Sequence, residues 1–266
     1  MDAKLENAID SEILPSVFAG IYAEDLRVSF LENEILKGIT IDARHGEILS
    51  VIGPAGAGKT TFLRCLNRML DLDPDWKISG EVFLNGHSIY DRDVQVAALR
   101  RKVGMVFSVP VTLPMSIYEN LTFGLKLDLE KRGRRMEKIE KALRAAYLWD
   151  EVKDRLQEPA QNLSGGQQQR LCLARTLTLE PSVLLLDEPC SGLDPISTHR
   201  IEEALQQLKA DLAIVLVTNN VKQAARASDR TAFFLFGELV EIQATEALFT
   251  TPREKKTADY ISGRFG

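Results

Sequence analysis

The sequence predicts an α/β fold, in which a mostly parallel β-sheet is covered by helices. Short β-rich runs alternate along the chain with segments of helical periodicity, and this alternation is typical of parallel strands joined by crossover helices. The 266 residues are enough for one large domain or two small ones with a substantial core. The sequence contains no internal repeat and no low-complexity stretch that would indicate a different architecture.

The first half of the chain contains most of the predicted strands. They are expected at residues 27–30, 38–43 and 47–52, as a strand pair near 78–84, and at 102–107. Asn85-Gly86 closes the strand pair, and this dipeptide favours the tight turn of a β-hairpin. A helix is predicted from Lys59 to about Met69. Residues 1–23 are interpreted as a loosely specified leader segment.

The second half begins with a helical block. Residues 116–158 carry many charges, and Met136, Ile139, Leu143 and Tyr147 fall on one helical stripe. The block is therefore interpreted as an insertion into the sheet. Beyond it the predicted elements are a helix at 165–177, a strand at 183–186, a helix at 197–208 and a strand at 213–217.

Composition excludes several classes of protein. The net charge of -5 argues against a nucleic-acid binder, which usually has a strongly basic domain. Cys65, Cys172 and Cys190 are odd in number and far apart, so neither a disulfide framework nor a zinc site is expected. We see no secretory signal. The longest apolar runs are too short to span a bilayer, so a membrane role would have to come through a partner.

The most informative turn follows the third predicted strand. Residues 53–60 read GPAGAGKT, which fits the phosphate-loop pattern G-x-x-x-x-G-K-[ST] between a strand and a helix. Glycines let backbone N–H groups approach phosphate oxygens, and the helix directs its positive end at the same anion. Lys59 would reach the β- and γ-phosphates, and the Thr60 hydroxyl would bind Mg²⁺. The predicted ATP-binding residues of this loop are Gly53, Pro54, Ala55, Gly56, Ala57, Gly58, Lys59, Thr60 and Thr61.

Two carboxylates follow the predicted strand at 183–186. Asp187 ends an apolar run, which is where a second Mg²⁺ ligand stands opposite a phosphate loop. Glu188 adds a carboxylate that could orient the attacking water. The sequence therefore predicts an ATP-Mg²⁺ site, with Thr60 and Asp187 as metal ligands and Glu188 as the catalytic base.

One short sequence run indicates a protein family. Residues 163–170 read LSGGQQQR and resemble the hallmark of the ABC transporter ATPases, while Ser164 alone would be an ordinary helix N-cap. The resemblance covers residues 24–266. It implies a P-loop NTPase ABC cassette with a mostly parallel RecA-like sheet, an antiparallel β subdomain and an inserted α-helical subdomain. The nucleotide-binding core would comprise residues 24–108 and 167–266, and the helical subdomain residues 109–166.

The resemblance also implies roles for residues outside the phosphate loop. Ser164, Gly165, Gly166 and Gln167 would contact the ATP of a second subunit, so that two chains, or this chain and a second ABC cassette, form a head-to-tail dimer. Asp194 would lie at that dimer interface. Phe30 would stack on adenine, although a core phenylalanine is an equally good interpretation.

The chain looks closest to the phosphate-import branch of this family. Residues 89–93, 103–107, 114–120 and 259–266 have the character of that branch. The expected partners are two transmembrane permease subunits and, indirectly, a phosphate-binding protein, with no nucleic acid. The expected location is peripheral, on the cytoplasmic face of the cell membrane. No residue of such a subunit would touch the transported phosphate.

Two positions depart from the family pattern, and both would lie at the γ-phosphate. Ser108 stands where the family has a glutamine, and Asn219 stands where it has the switch histidine. Both are shorter, and Asn219 has no titratable proton. We therefore expect ATP-Mg²⁺ binding with slow or partner-dependent hydrolysis. The alternatives are a degenerate subunit that pairs with an intact cassette, and an ATP-gated regulatory module without a role in transport.

Overall fold

The computed structural model describes residues 19–127 and 132–264. The strands of this part are β1 (Gly20–Phe30), β2 (Asn33–Arg44), β3 (Ile48–Ile52), β4 (Trp76–Leu84), β5 (His87–Ser88), β6 (Val103–Val106), β7 (Val183–Asp187), β8 (Ala213–Val217), β9 (Arg230–Leu235) and β10 (Glu238–Ala244). The α-helices are α1 (Lys59–Leu66), α2 (Val96–Lys102), α3 (Ile117–Thr122), α4 (Arg132–Ala145), α5 (Trp149–Val152), α6 (Gly165–Leu177), α7 (Pro195–Leu208), α8 (Val221–Ala227), α9 (Thr245–Thr250) and α10 (Lys255–Ile261).

The smaller sheet is antiparallel and has the strand order β2-β1-β4-β5. Its last hairpin turns at Asn85-Gly86, as predicted, because both residues adopt positive φ angles (49° and 81°) that suit a tight hairpin turn. The Asn85 side chain also accepts a hydrogen bond from the backbone of Gly20 at 2.9 Å. The turn is therefore tied to the first residue of β1.

The larger sheet has the order β10-β9-β3-β8-β7-β6 and is parallel except for β10 at its edge. Every residue of β3, β7 and β8 is buried, as expected for strands with helices on both faces. These three strands are neighbours, so their carboxyl ends open at one edge of the sheet. In such sheets ligands bind at this edge.

One prediction about the start of the chain is corrected, and two strands in its last part were not predicted. The predicted leader extended to residue 23, but β1 begins at Gly20, since Ile21 and Ala23 are buried and pair with β2 and β4. Residues 1–18 lie outside the described residues. Strands β9 and β10 were not predicted. For β10 the reason is that it is a partly exposed edge strand whose register shifts between Leu239 and Glu241, which obscures its alternation.

Between β6 and β7 the described residues form helices and connecting loops. The predicted stripe is buried at Ile139 and Leu143, which share an apolar cluster with residues of α3 and α6. The apolar face of α4 therefore packs on α6. None of the described helices has both the length and the hydropathy that crossing a bilayer requires.

Candidate functional site

The phosphate loop connects β3 to α1 at the open edge of the larger sheet. Gly53 follows Ile52 directly with φ +150°, a conformation that favours glycine. A Cβ at this position would lie 2.1 Å from the carbonyl oxygen of Phe234 in β9, so the loop can leave the sheet here only without a side chain. Gly58 then precedes α1, and β2 packs closely against it through Ile35 and Leu36.

Lys59 is the first residue of α1 and is only 6% exposed. Its ammonium donates hydrogen bonds to the carbonyl oxygens of Gly53 at 2.7 Å and Pro54 at 2.8 Å. Burial lowers the pKa of Lys59, and the nearby carboxylates of Glu188 and Asp187 partly oppose this effect. The lysine is thus a cation that lies largely out of water, folded back onto the loop.

Thr60 and Asp187 join the phosphate loop to the end of β7. The Thr60 hydroxyl donates to Asp187 Oδ1 at 3.0 Å. Burial raises the pKa of Asp187, while the bond from Thr60 and the charges of Arg64 and Lys59 work in the opposite direction. A hydroxyl and a carboxylate oxygen at this separation are hard ligands that suit Mg²⁺. The arrangement therefore fits a magnesium ion shared with phosphate oxygens.

Glu188 and Asn219 meet beside this pair. Glu188 has the strained φ of +48°, and its backbone N–H donates to the Val217 carbonyl at 2.8 Å, where β8 ends. Asn219 lies two residues beyond β8, and its amide donates to Glu188 Oε1. The asparagine at the switch position thus contacts the predicted catalytic base directly.

Ser108 lies half-buried in the loop after β6. The carbonyl oxygen of its neighbour Phe107 accepts a hydrogen bond from Gln169 Nε2 of α6 at 2.8 Å. The loop that carries Ser108 is therefore attached to the helix that begins at the LSGGQ run.

Phe30 ends β1 in the smaller sheet and is half-buried. Its ring packs on Trp76 with the centroids 4.8 Å apart and the planes tilted by 48°. The ring is thus held in place while part of its surface stays accessible, so both interpretations of Phe30 stay open.

The LSGGQ run forms the N-terminus of α6. Ser164 is the N-cap and makes a capping box with Gln167, in which the Gln167 backbone donates to Ser164 Oγ at 3.3 Å and the Ser164 backbone donates to Gln167 Oε1 at 3.0 Å. A Cβ on Gly165 would meet nothing within 4 Å, whereas one on Gly166 would lie 2.0 Å from Ser197 Oγ. One glycine therefore faces open space and the other packs on α7.

Asp194 caps α7. Its Oδ1 accepts hydrogen bonds from the backbone N–H groups of Ile196 at 3.0 Å and Ser197 at 2.9 Å. Its side chain thus stabilises the start of the helix on which Gly166 packs, in addition to the interface role that the sequence predicted.

The structure brings the phosphate-loop residues together with Asp187, Glu188 and Asn219. Within residues 19–127 and 132–264, no hydrogen bond or ion pair joins this set to Ser164 or Gln167. The two sets lie on different elements, the first around the carboxyl ends of β3, β7 and β8 and the second at the N-terminus of α6.

Sequence reasoning missed two residues that support these two sets. Glu151 of α5 binds Gln167 and Arg170, and the helical spacing of Gln167 and Arg170 could have indicated a shared partner on one face of α6. Tyr260 of α10 stacks on Phe233 with ring centroids 4.9 Å apart. Nothing in the local sequence pattern marks that contact, which joins the C-terminal helix to the sheet next to the phosphate loop.

Comparisons with known proteins identify relatives along nearly the whole chain. The family model described as ABC transporter matches residues 36–191. The phosphate import ATP-binding protein PstB of Pseudoalteromonas translucida is 50% identical over 259 residues, which cover 97% of this chain and 94% of that protein. The phosphate import ATP-binding protein PstB 2 of Shouchella clausii is 51% identical over 246 residues, which cover 92% of this chain and 91% of that protein.

A solved structure confirms the predicted fold class. The cbiO1 protein from Clostridium perfringens superposes with a TM-score of 0.78 at 24% identity, over 93% of this chain and 97% of that chain. The family model and the relatives establish more than the fold. The chain belongs to the ABC transporter family, and it is an ATP-binding subunit of that family with ABC-type ATPase activity.

Proposed function

We propose that this chain is the motor subunit of a phosphate importer, and that it works on the cytoplasmic face of the membrane with two transmembrane permease subunits and, through them, a phosphate-binding protein. The observation that carries the transport assignment is about 50% identity, over nearly the full length, to proteins named for phosphate import. The observation that carries the chemistry is the Thr60–Asp187 hydrogen bond between the phosphate loop and β7.

The residues present would hold ATP and Mg²⁺ in a defined way. Thr60 and Asp187 supply oxygen ligands, and the bound ion would neutralise charge that develops on the phosphates. When ATP binds, the Lys59 ammonium would exchange its hydrogen bonds to two loop carbonyls for hydrogen bonds to phosphate oxygens. The exchange is favourable because a buried ammonium gains a charged partner. Glu188 is placed to orient the attacking water.

Hydrolysis is slow in this proposal because two groups at the γ-phosphate are shortened. Asn219 retains one role at this site, since its side-chain amide donates a hydrogen bond to the Glu188 carboxylate. That amide cannot also reach as far as an imidazole, and it has no titratable proton. Ser108 cannot place an amide where the family has glutamine. Loss of one preorganised donor typically costs about 10²–10³ in rate.

A second candidate is a degenerate subunit that pairs with an intact cassette. Both shortened residues serve the ATP bound to this chain's own Lys59, whereas the Ser164–Gln167 capping box is fully formed. In a mixed dimer this chain would contribute its LSGGQ run to the partner's ATP. A gain in ATPase on mixing with a second cassette that carries the glutamine and the histidine would favour this candidate over a homodimer.

The decisive experiment compares the chain with its Glu188→Gln variant. We expect tight Mg²⁺-dependent ATP binding by both, a low steady-state ATPase rate for the unaltered chain, and no detectable rate for Glu188→Gln. Reconstitution with the permease subunits in vesicles should then give ATP-dependent uptake of phosphate. A fast rate in the isolated chain contradicts slow hydrolysis, and uptake of a different anion contradicts the transport assignment.

A further inference from the structure

The carboxylate of Glu151 lies where three helices meet. Glu151 belongs to α5, and Gln167 of α6 donates to its Oε2 at 2.7 Å. One turn later on α6, Arg170 donates to Oε1 at 2.6 Å and to Oε2 at 3.2 Å. Arg200 of α7 also donates to Oε1. A single side chain therefore connects the helical block to both α6 and α7.

This connection involves a buried charge. The Arg170 side chain is only 3% exposed, and its remaining partners are the carbonyl oxygens of Gly166 and Tyr147. Partial burial works to raise the pKa of Glu151, but the bonds from Arg170 and Gln167 and the charges of both arginines outweigh it, so the pKa is lowered. Without the Glu151 carboxylate, the Arg170 guanidinium would stay buried with no charged partner among the described residues, which is strongly unfavourable.

Helices α6 and α7 also contact each other directly at their N-termini. Gly166 packs so closely on Ser197 that a Cβ would lie 2.0 Å from Ser197 Oγ and 3.7 Å from Asp194 Oδ2. Asp194 is the N-cap of α7, as Ser164 is the N-cap of α6. The Ser164 turn and the Asp194 turn are therefore connected in two places, by the packing of Gly166 on Ser197 and by the hydrogen bonds of Glu151. Together these two connections prevent one turn from rotating relative to the other.

We propose that Glu151 is a positioning residue that holds the Ser164 turn and the Asp194 turn in one fixed arrangement, so that both meet the nucleotide-bound face of a second cassette as a unit. The inference rests on the proposed function, in which the LSGGQ run acts on ATP bound by another subunit. Gln167 is the direct link, because its side chain closes the capping box with one end and binds Glu151 with the other.

The test separates ATP binding from subunit association. In a Glu188→Gln background, which slows hydrolysis, the ATP dissociation constant and the Mg-ATP-dependent dimerisation constant are measured by titration calorimetry and sedimentation. Adding Glu151→Gln should weaken dimerisation by about tenfold or more, as expected for the loss of a charge-assisted hydrogen bond, and should leave ATP binding within about twofold. Asp150→Asn is the matched control, because Asp150 is the neighbouring acid, is 81% exposed and pairs with Lys153 at 3.4 Å.

A second pair of variants distinguishes a specific effect on dimerisation from a folding defect. Arg200 is partly exposed, so Arg200→Gln removes one arm of the connection without burying an unpaired charge. It should weaken dimerisation in the same direction as Glu151→Gln, and Arg200→Lys, which keeps the positive charge, should restore most of the affinity. A general loss of stability would not be rescued in this way.

The outcomes are distinct. Unchanged dimerisation in both Glu151→Gln and Arg200→Gln overturns the inference and leaves the proposed function standing. Equal weakening of ATP binding and dimerisation overturns it as well, because it indicates a general structural role. Absence of any ATP-dependent association in the Glu188→Gln parent, alone or with a second cassette, overturns the proposed dimer and the inference together.

Discussion

The two candidate functional regions of this chain differ in how their buried charges are compensated. In the phosphate-loop region, defined as residues 53–61 with Asp187, Glu188 and Asn219, burial lowers the pKa of Lys59 and raises that of Asp187. In the signature region, defined as residues 164–167 with Glu151 and Arg170, the buried cation has a carboxylate partner at 2.6 Å. In the first region burial outweighs the partners of these groups, whereas in the second region the hydrogen bonds and charges around Glu151 outweigh burial.

This difference indicates which of the two regions a bound nucleotide would stabilise. A polyanion with its metal ion would stabilise the charged forms of Lys59 and Asp187, because burial disfavours both. The signature region would gain little from a free nucleotide in the same chain. In the proposed dimer it would act as a preassembled surface for another subunit. Of the two departures from the family pattern, Asn219 belongs to the first region, and Ser108 follows β6 at the same edge of the larger sheet.

The largest expected effect is on the phosphate-loop region. Lys59→Ala should raise the ATP dissociation constant by about a hundredfold, since charged hydrogen bonds to phosphate are lost. Calorimetric titration with Mg-ATP measures it. Lys37→Ala is the control, because Lys37 is a partly exposed lysine whose partner, Glu238, lies 3.9 Å away. This variant should bind ATP normally. A change below about threefold for Lys59→Ala would mean that the backbone cradle dominates phosphate binding.

The two signature glycines allow a matched comparison within the signature region. Gly166→Ala should destabilise the fold by about 1–3 kcal/mol, because its methyl group would overlap Ser197 Oγ. Gly165→Ala should not destabilise the fold, since its methyl group meets open space and alanine is the better helix former. Thermal unfolding of the two variants checks this difference. Equal melting temperatures would show that the contact between α6 and α7 is easily relaxed.

The smallest expected effect concerns the switch position. Asn219→His should raise the ATPase rate by about tenfold, since a preorganised donor of the family type is restored beside Glu188. Asn219→Ala should lower the rate below that of the unaltered chain, because Glu188 loses the amide that holds it. Steady-state ATPase with saturating Mg-ATP gives both numbers. If the rate of Asn219→Ala matches that of the unaltered chain, the Asn219–Glu188 contact has no catalytic role.

Much of the fold was predictable because its signals are local. The phosphate loop, the turn at Asn85-Gly86 and the N-cap at Ser164 each depend on a few consecutive residues, and the buried parallel strands appear as short apolar runs. The edge strand β10 was not predictable in this way, since a register irregularity and partial exposure remove its alternation. The first strand was placed too late, because its start at Gly20 depends on pairing with β2 and β4.

By itself the sequence determined which residues are candidates for the nucleotide site. Lys59, Thr60 and Asp187 stand in patterns whose spacing follows from backbone geometry, and the resemblance to a family followed from one run at 163–170. Only the tertiary structure decided which residues far apart in the chain contact each other. Asn219 meets Glu188 across 31 positions, and Arg200 meets Glu151 across 49. Such contacts depend on which strand ends and helix faces become neighbours in the packed sheet, and no periodicity along the chain encodes that.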